Sequence, residues 1–162
     1  MIDAEPLRVF CAEMERLGAA IHAPSGALPH CGATTGAGYH VLIASDGRYS
    51  LVYSERGVPG VIAASTDPEV LMERVFVEVT TNMASTAFAN EQPPLDAADP
   101  LRLLRLSEDE VRNAAVDYQL RTSRVQEALL NKLNPDWAAR RAVWNAERLR
   151  QVKQLLSEGS QD

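Results

Sequence analysis

An α+β fold, a short antiparallel β-sheet packed against several α-helices, follows from three features of the 162-residue sequence. Two β-like runs flank Asp46-Gly47, a third follows Ser54-Glu55-Arg56-Gly57, and apolar residues at helical spacing lie before and after them. Between Tyr39 and Ala89 the hydrophobic period changes from that of a strand to that of a helix more clearly than anywhere else in the chain.

The first helix is expected from about Pro6 to Gly18. Pro6 suits the first helical position, where its missing N–H would have no partner. Leu7, Phe10, Cys11, Met14 and Leu17 make one buried stripe, and Gly18 is expected to end the helix with a left-handed backbone. Residues 22–38 hold two prolines, four glycines and no periodicity, so they read as a long loop. Its G-A-T-T-G-A-G run, which contains Thr34 and Thr35, precedes a strand and lacks the Gly-Lys-Ser/Thr ending of a phosphate-binding loop.

A two-residue turn at Asp46-Gly47 would set Leu42 opposite Leu51, His40 opposite Tyr53 and Val41 opposite Val52. Both faces of that hairpin are then substantially apolar, so one face packs on helices and the other needs a cover or a partner. Pro59 cannot donate to a ladder, which places the run from Val58 to Ala64 at a sheet edge or starts it after the proline. Thr66 or Asp67 then caps a helix with Pro68 in its first turn and Leu71, Met72, Val75, Phe76, Val79 and Met83 on its buried side.

Pro93-Pro94 and Asp99-Pro100 interrupt helix between Asn90 and Leu106. Ser107 and Glu110 form a capping box for a helix reaching about Leu133, with Val111, Ala114, Tyr118, Val125, Leu129 and Leu133 spaced for burial. Asn134-Pro135 starts a last helix carrying Trp137, Trp144, Val152 and Leu155 on related faces, with Arg140, Arg141, Arg148 and Arg150 making it basic. The length suits a single domain over 1–158 with a frayed tail at 159–162.

Charge is uneven. Residues 1–100 carry 5 Lys/Arg against 13 Asp/Glu, a net −8, whereas 101–162 carry 11 against 9, a net +2. An acidic N-terminal part argues against general nucleic-acid binding, which needs a basic footprint, and is compatible with docking on a basic partner. No stretch is long and apolar enough to span a membrane. The N-terminal M-I-D-A-E-P-L lacks the basic and apolar regions of a secretory signal. Cys11 and Cys31 make no disulfide framework, so free thiols in a reducing compartment, the cytoplasm, are expected.

Catalytic patterns are sparse. His22, His30, Cys31 and His40 do not have the paired spacing of a zinc site, so no metal and no cofactor are expected. No nucleophile stands in a G-x-S-x-G or similar context. Glu55 and Arg56 could act as an acid–base pair in a small enzyme, or as a local ion pair anchoring a turn.

The central stretch resembles immunity proteins of bacterial polymorphic toxin systems, in particular α+β families with a strand ending in an E-R-G motif. The matching residues are Tyr39-His40-Val41, Tyr53-Ser54-Glu55-Arg56-Gly57, Thr66-Asp67 with Leu71, and Val75-Phe76-Val79-Thr80 leading to Met83-Ala84. A fainter echo follows in Gln126, Leu129, Leu130, Trp137 and Arg140. The resemblance implies an antitoxin that binds its cognate toxin, one to one, and blocks its active-site cleft. Some such proteins are similar to the inhibitors of secreted NAD glycohydrolases. Tyr39, Tyr53, Glu55, Arg56 and Gly57 read as determinants of the fold. Partner contacts are expected instead from loops, at Ser45, Asp46, Gly47 and Arg48, at Thr34 and Thr35, and at Asp96 and Asp99. A secretion chaperone or adaptor that binds a partner helix is the rival reading.

Overall fold

A computed structural model of the chain describes residues 4–33, 36–56, 58–89 and 107–158. The architecture is α+β, with four helices and a four-stranded mixed sheet among the described residues. Two compact units divide the chain, Met1–Val79 and Thr80–Asp162, and α2 (Pro68–Ala89) contributes to both.

In the first unit, α1 (Ala4–Ala20) buries Phe10, Cys11, Met14 and Leu17, the stripe that 3.6-residue spacing requires. Leu7 is only half-buried. The helix does not stop at Gly18. A Cβ there would lie 2.7 Å from a methyl of Leu28, so the glycine lets the returning chain close against the helix. The left-handed residue is His22, at φ 54°. Its N–H donates to the Ala19 carbonyl at 3.1 Å, and the Ala23 N–H donates to the Gly18 carbonyl at 2.9 Å. This is the paired-bond helix ending in which glycine is the usual residue. A His22→Gly variant is therefore expected to be more stable by about 0.5–1 kcal/mol, the relief of a left-handed β-carbon less glycine's extra chain entropy. Urea melts of the two proteins check it.

The sheet runs in the order β1–β2–β3–β4, with β1 (His30–Cys31), β2 (Gly38–Ile43), β3 (Tyr49–Glu55) and β4 (Val58–Ser65). The supposed long loop thus contains a strand. β1 pairs in parallel with β2, setting His30 beside His40 and Cys31 beside Val41. The two-residue turn is also corrected. Ala44 N–H donates to the Arg48 carbonyl and Gly47 N–H to the Ala44 carbonyl, so Ser45, Asp46 and Gly47 form a three-residue loop, with Gly47 at φ 80° supplying its left-handed position.

That extra loop residue slips the register by one. Val41 faces Leu51, Ile43 faces Tyr49 and Tyr39 faces Tyr53, while His40 faces Val52. A one-residue slip regroups every cross-strand pair. Val41, Leu51 and Tyr49 are buried on one face, where the Phe10 ring of α1 stands 5.3 Å from that of Tyr49. His40 and Val52 are buried on the other. Both centres of the sheet are therefore covered.

β3 and β4 meet through a second tight turn, Glu55 opposite Val58, in which Arg56 has φ 52°. Gly57 lies outside the described residues. The β4 partners step from Ala63 to Val61 between Leu51 and Val52, leaving Ile62 as a bulged residue. As Pro59 requires, β4 is an edge strand.

Asp67, not Thr66, caps α2: its carboxylate accepts the Glu69 N–H at 2.8 Å. Leu71, Met72, Val75, Phe76 and Val79 are buried as the periodicity demands, together with Val77.

The second unit contains the last turns of α2, then α3 (Glu108–Leu133) and α4 (Pro135–Glu158), two antiparallel helices joined through Asn134. The Ser107–Glu110 capping box is formed in both directions. Asn134 then caps α4 through its bond from the Asp136 N–H at 2.9 Å.

The α3 stripe differs from the expected one. Val111, Ala114 and Tyr118 are exposed, and Val125, Leu129 and Leu133 are only half-buried. The buried positions are Gln126 and Leu130, one residue further on. On α4, Trp137, Ala138 and Asn145 are buried, whereas Trp144 and Leu155 are exposed and Val152 is half-buried. A polar network explains the rotation, because it places a glutamine where the apolar pattern wanted a valine. No described helix is long and apolar enough to cross a membrane.

Candidate functional site

The cysteines are not free. Cys11 of α1 and Cys31 of β1 form a disulfide, with their α-carbons 6.3 Å apart. They are 20 residues apart in the chain, a separation at which helical and strand periodicity say nothing about contact. The inference from free thiols to a reducing compartment therefore loses its basis, since stable bridges belong mainly to oxidising ones.

The histidines gather only in part. Parallel pairing stacks His30 on His40, with ring centroids 6.1 Å apart. His40 is buried and neither of its nitrogens has a hydrogen-bond partner among the described residues. His22 serves the helix end instead. Among the described residues no group of three or more His, Cys, Asp and Glu side chains could hold a metal.

Glu55 and Arg56 are both exposed at the β3–β4 turn and form no ion pair among the described residues. The left-handed backbone of Arg56 makes it a turn residue. Upstream of them, Tyr39 and Tyr53 sit cross-strand with ring centroids 4.9 Å apart. Burial holds the Tyr39 phenol above its ordinary pKa, with Glu78 and Tyr53 adding to the shift and Arg74 opposing it.

Of the residues expected to touch a partner, Ser45, Asp46, Gly47 and Arg48 are exposed at the β2–β3 tip. Their contacts are internal: the Arg48 N–H donates to the Asp46 carboxylate at 3.1 Å, and the two side chains stand 3.8 Å apart. Thr34, Thr35, Asp96 and Asp99 lie outside the described residues.

The larger open surface in the first unit is β4. Its eight residues, V-P-G-V-I-A-A-S, carry no charge, and none of them is buried. Val58 is 72% exposed, Val61 67% and Ile62 41%. Pairing puts Val58 on the face of Tyr53 and Val61 on the face of Val52, so apolar groups flank both sides of a backbone edge that no described strand pairs. Edge strands are normally protected by charged side chains, lysine above all, and this one has none. The sequence signal was Pro59, which marked an edge, combined with the absence of Lys, Arg, Asp and Glu over eight positions. The Ser45–Arg48 tip stands at the end of the sheet where β4 finishes, because Tyr49 pairs with Ser65.

In the second unit a pocket of about 360 Å³ opens among the last turns of α2, α3 and α4. Gln126, only 3% exposed, sits at its base. Its amide nitrogen donates to the Thr81 hydroxyl at 2.6 Å and its oxygen accepts from Arg141 Nε at 2.9 Å. Asn145 reaches the same oxygen at 3.5 Å and donates to Glu127 at 2.8 Å. The Arg141 guanidinium carbon lies 3.8 Å from the Trp144 ring centroid. No expected site residue is found here.

Comparisons with protein-family models, with curated proteins and with solved structures find no match for this chain.

Proposed function

We propose that the chain is an immunity protein that binds one molecule of a cognate bacterial toxin and inhibits it by covering its active-site cleft. The observation that carries this reading is β4: an eight-residue, uncharged edge strand with apolar side chains on both faces. Such an edge accepts an extended segment of a partner protein, whose backbone continues the ladder while its alternate side chains cover Val58 and Val61. The partner presents a strand or extended loop of apolar and β-branched residues, with basic residues beside it to match the acidic N-terminal part of this chain. The order of the immunity-protein motifs between Tyr39 and Ala84 supports the same reading. A toxin that cleaves NAD is the narrower form of the proposal. Inhibition works by exclusion and asks no catalysis of the inhibitor.

The test pairs this chain with the product of the neighbouring toxin gene. Equimolar protein is expected to abolish toxin activity and to elute with the toxin as a one-to-one complex. A Val61→Lys variant is expected to weaken the complex at least about tenfold, the effect of burying an unpaired charge in an interface, while its own stability changes by less than about 0.5 kcal/mol because the site is exposed. An unchanged affinity in Val61→Lys would remove β4 from the interface, and undiminished toxin activity at equimolar ratio would sink the reading. A complex that leaves the enzyme active would point instead to a secretion chaperone. Self-association through β4, seen as a dimer that Val61→Lys dissociates, would make a second copy the occupant.

A further inference from the structure

The pocket of the second unit is unlike the β4 surface in every chemical respect. Its lining comes from α2, α3 and α4 and includes two arginines, a tryptophan, three amides and five hydroxyls, with no carboxylate among the lining residues. Among the described residues, Glu127 touches the surrounding network through its bond from Asn145. Arg141 is fixed by the buried Gln126 and lies over the ring of Trp144, which is 48% exposed. Arg148 lies 5.8 Å from the same ring centroid and forms no ion pair among the described residues. Its chain neighbour Glu147 is engaged by Arg150 and Gln151 instead.

Arginines bound to an aromatic ring keep their hydrogen-bonding edges turned to the side, and those edges match the oxygens of a carboxylate or phosphate. The volume is that of a small-molecule site. Hydroxyl and amide groups around a fixed cation suit a ligand that carries hydroxyls as well as charge, since each can both donate and accept. We propose that this pocket binds a small hydroxyl-bearing anion, its carboxylate or phosphate meeting Arg148 on the Arg141–Trp144 stack and its hydroxyls meeting the Ser, Thr and amide side chains. The site does not depend on the docking role of β4, and its test uses the full chain without any toxin.

Trp144 is the natural reporter, because Trp137 is 4% exposed and shielded from solvent quenchers. Gluconate supplies the carboxylate with hydroxyls, glucose 6-phosphate the phosphate with hydroxyls, 6-phosphogluconate both, and glucose neither. Millimolar 6-phosphogluconate is expected to protect the chain's fluorescence from acrylamide and to give a saturable calorimetric titration. Glucose is expected to do neither. Gluconate and glucose 6-phosphate separate the two anions. A Trp144→Phe variant assigns the protected emission, and Arg148→Gln is expected to weaken binding about tenfold, the size of one charge-assisted hydrogen bond. Equal binding of glucose, equal affinity in Arg148→Gln, or no titration with any of the three anions would overturn the proposal. So would binding confined to an acidic peptide, which would make the pocket a protein contact.

Discussion

Replacing Phe76 with alanine is expected to lower the stability of the first unit by about 3–5 kcal/mol, the range for deleting a large aromatic side chain from a packed interior. Phe76 has no solvent exposure, and it sits on α2 among Leu71, Met72, Val75 and Val79, which are all buried. Two terms add: the transfer energy of the lost ring, and the contacts forfeited around a void that neighbours close only in part. Val70 on the same helix is the internal control, at 55% exposed. Val70→Ala should shift the urea midpoint by less than about 0.5 kcal/mol equivalent, because no cavity forms. Similar losses in the two variants would mean that the buried side of α2 has been misassigned.

Opening the Cys11–Cys31 bridge is the second large effect. It ties α1 to the sheet edge at β1 across 20 residues of sequence. Closing a loop of that length removes unfolded-state freedom worth about 3 kcal/mol in the chain-entropy model. Unfolding with dithiothreitol, or in a Cys11→Ser/Cys31→Ser double variant, is expected to occur at lower urea by that amount, and the reductant should then have no further effect on the double variant. Equal midpoints with and without reductant would show that the bridge constrains nothing. Alkylation of both thiols in unreduced protein would show that it is not formed.

How much of this was legible beforehand depends on whether the controlling contact was local. Ser107 and Glu110 lie three residues apart, so their reciprocal cap can be read from spacing alone. Asp67 and Pro68 announce α2 in the same way, and Pro59 forces an edge by chemistry it carries itself. The hairpin register needed more. Asp46-Gly47 suits both a two-residue turn and a three-residue loop with glycine last, and the choice depends on which pairing buries Val41 with Leu51.

Long-range contacts were out of reach. Neither the bridge nor the parallel pairing of His30–Cys31 with His40–Val41 leaves a periodic trace. Gln126 entered only as part of the family echo, and its burial was not foreseen, because a buried amide is accepted only when its partners arrive, and Thr81, Arg141 and Asn145 come from two other helices. Hydrophobic spacing, blind to those partners, chose Val125 and Leu129 instead. For the candidate sites, exposure at Ser45–Arg48 was readable from the turn, whereas the pocket required three helices to converge.

An open edge that can receive the right strand can also receive the wrong one. Each copy presents the same uncharged eight residues to every other copy. The long-range force that opposes this contact is repulsion between copies, from a net charge of −6 over the whole chain. Salt screens that repulsion within about 10 Å at 0.1 M and leaves the backbone edge untouched. Rising salt is therefore expected to promote association of copies along this seam, and any segment laid over β4 to suppress it.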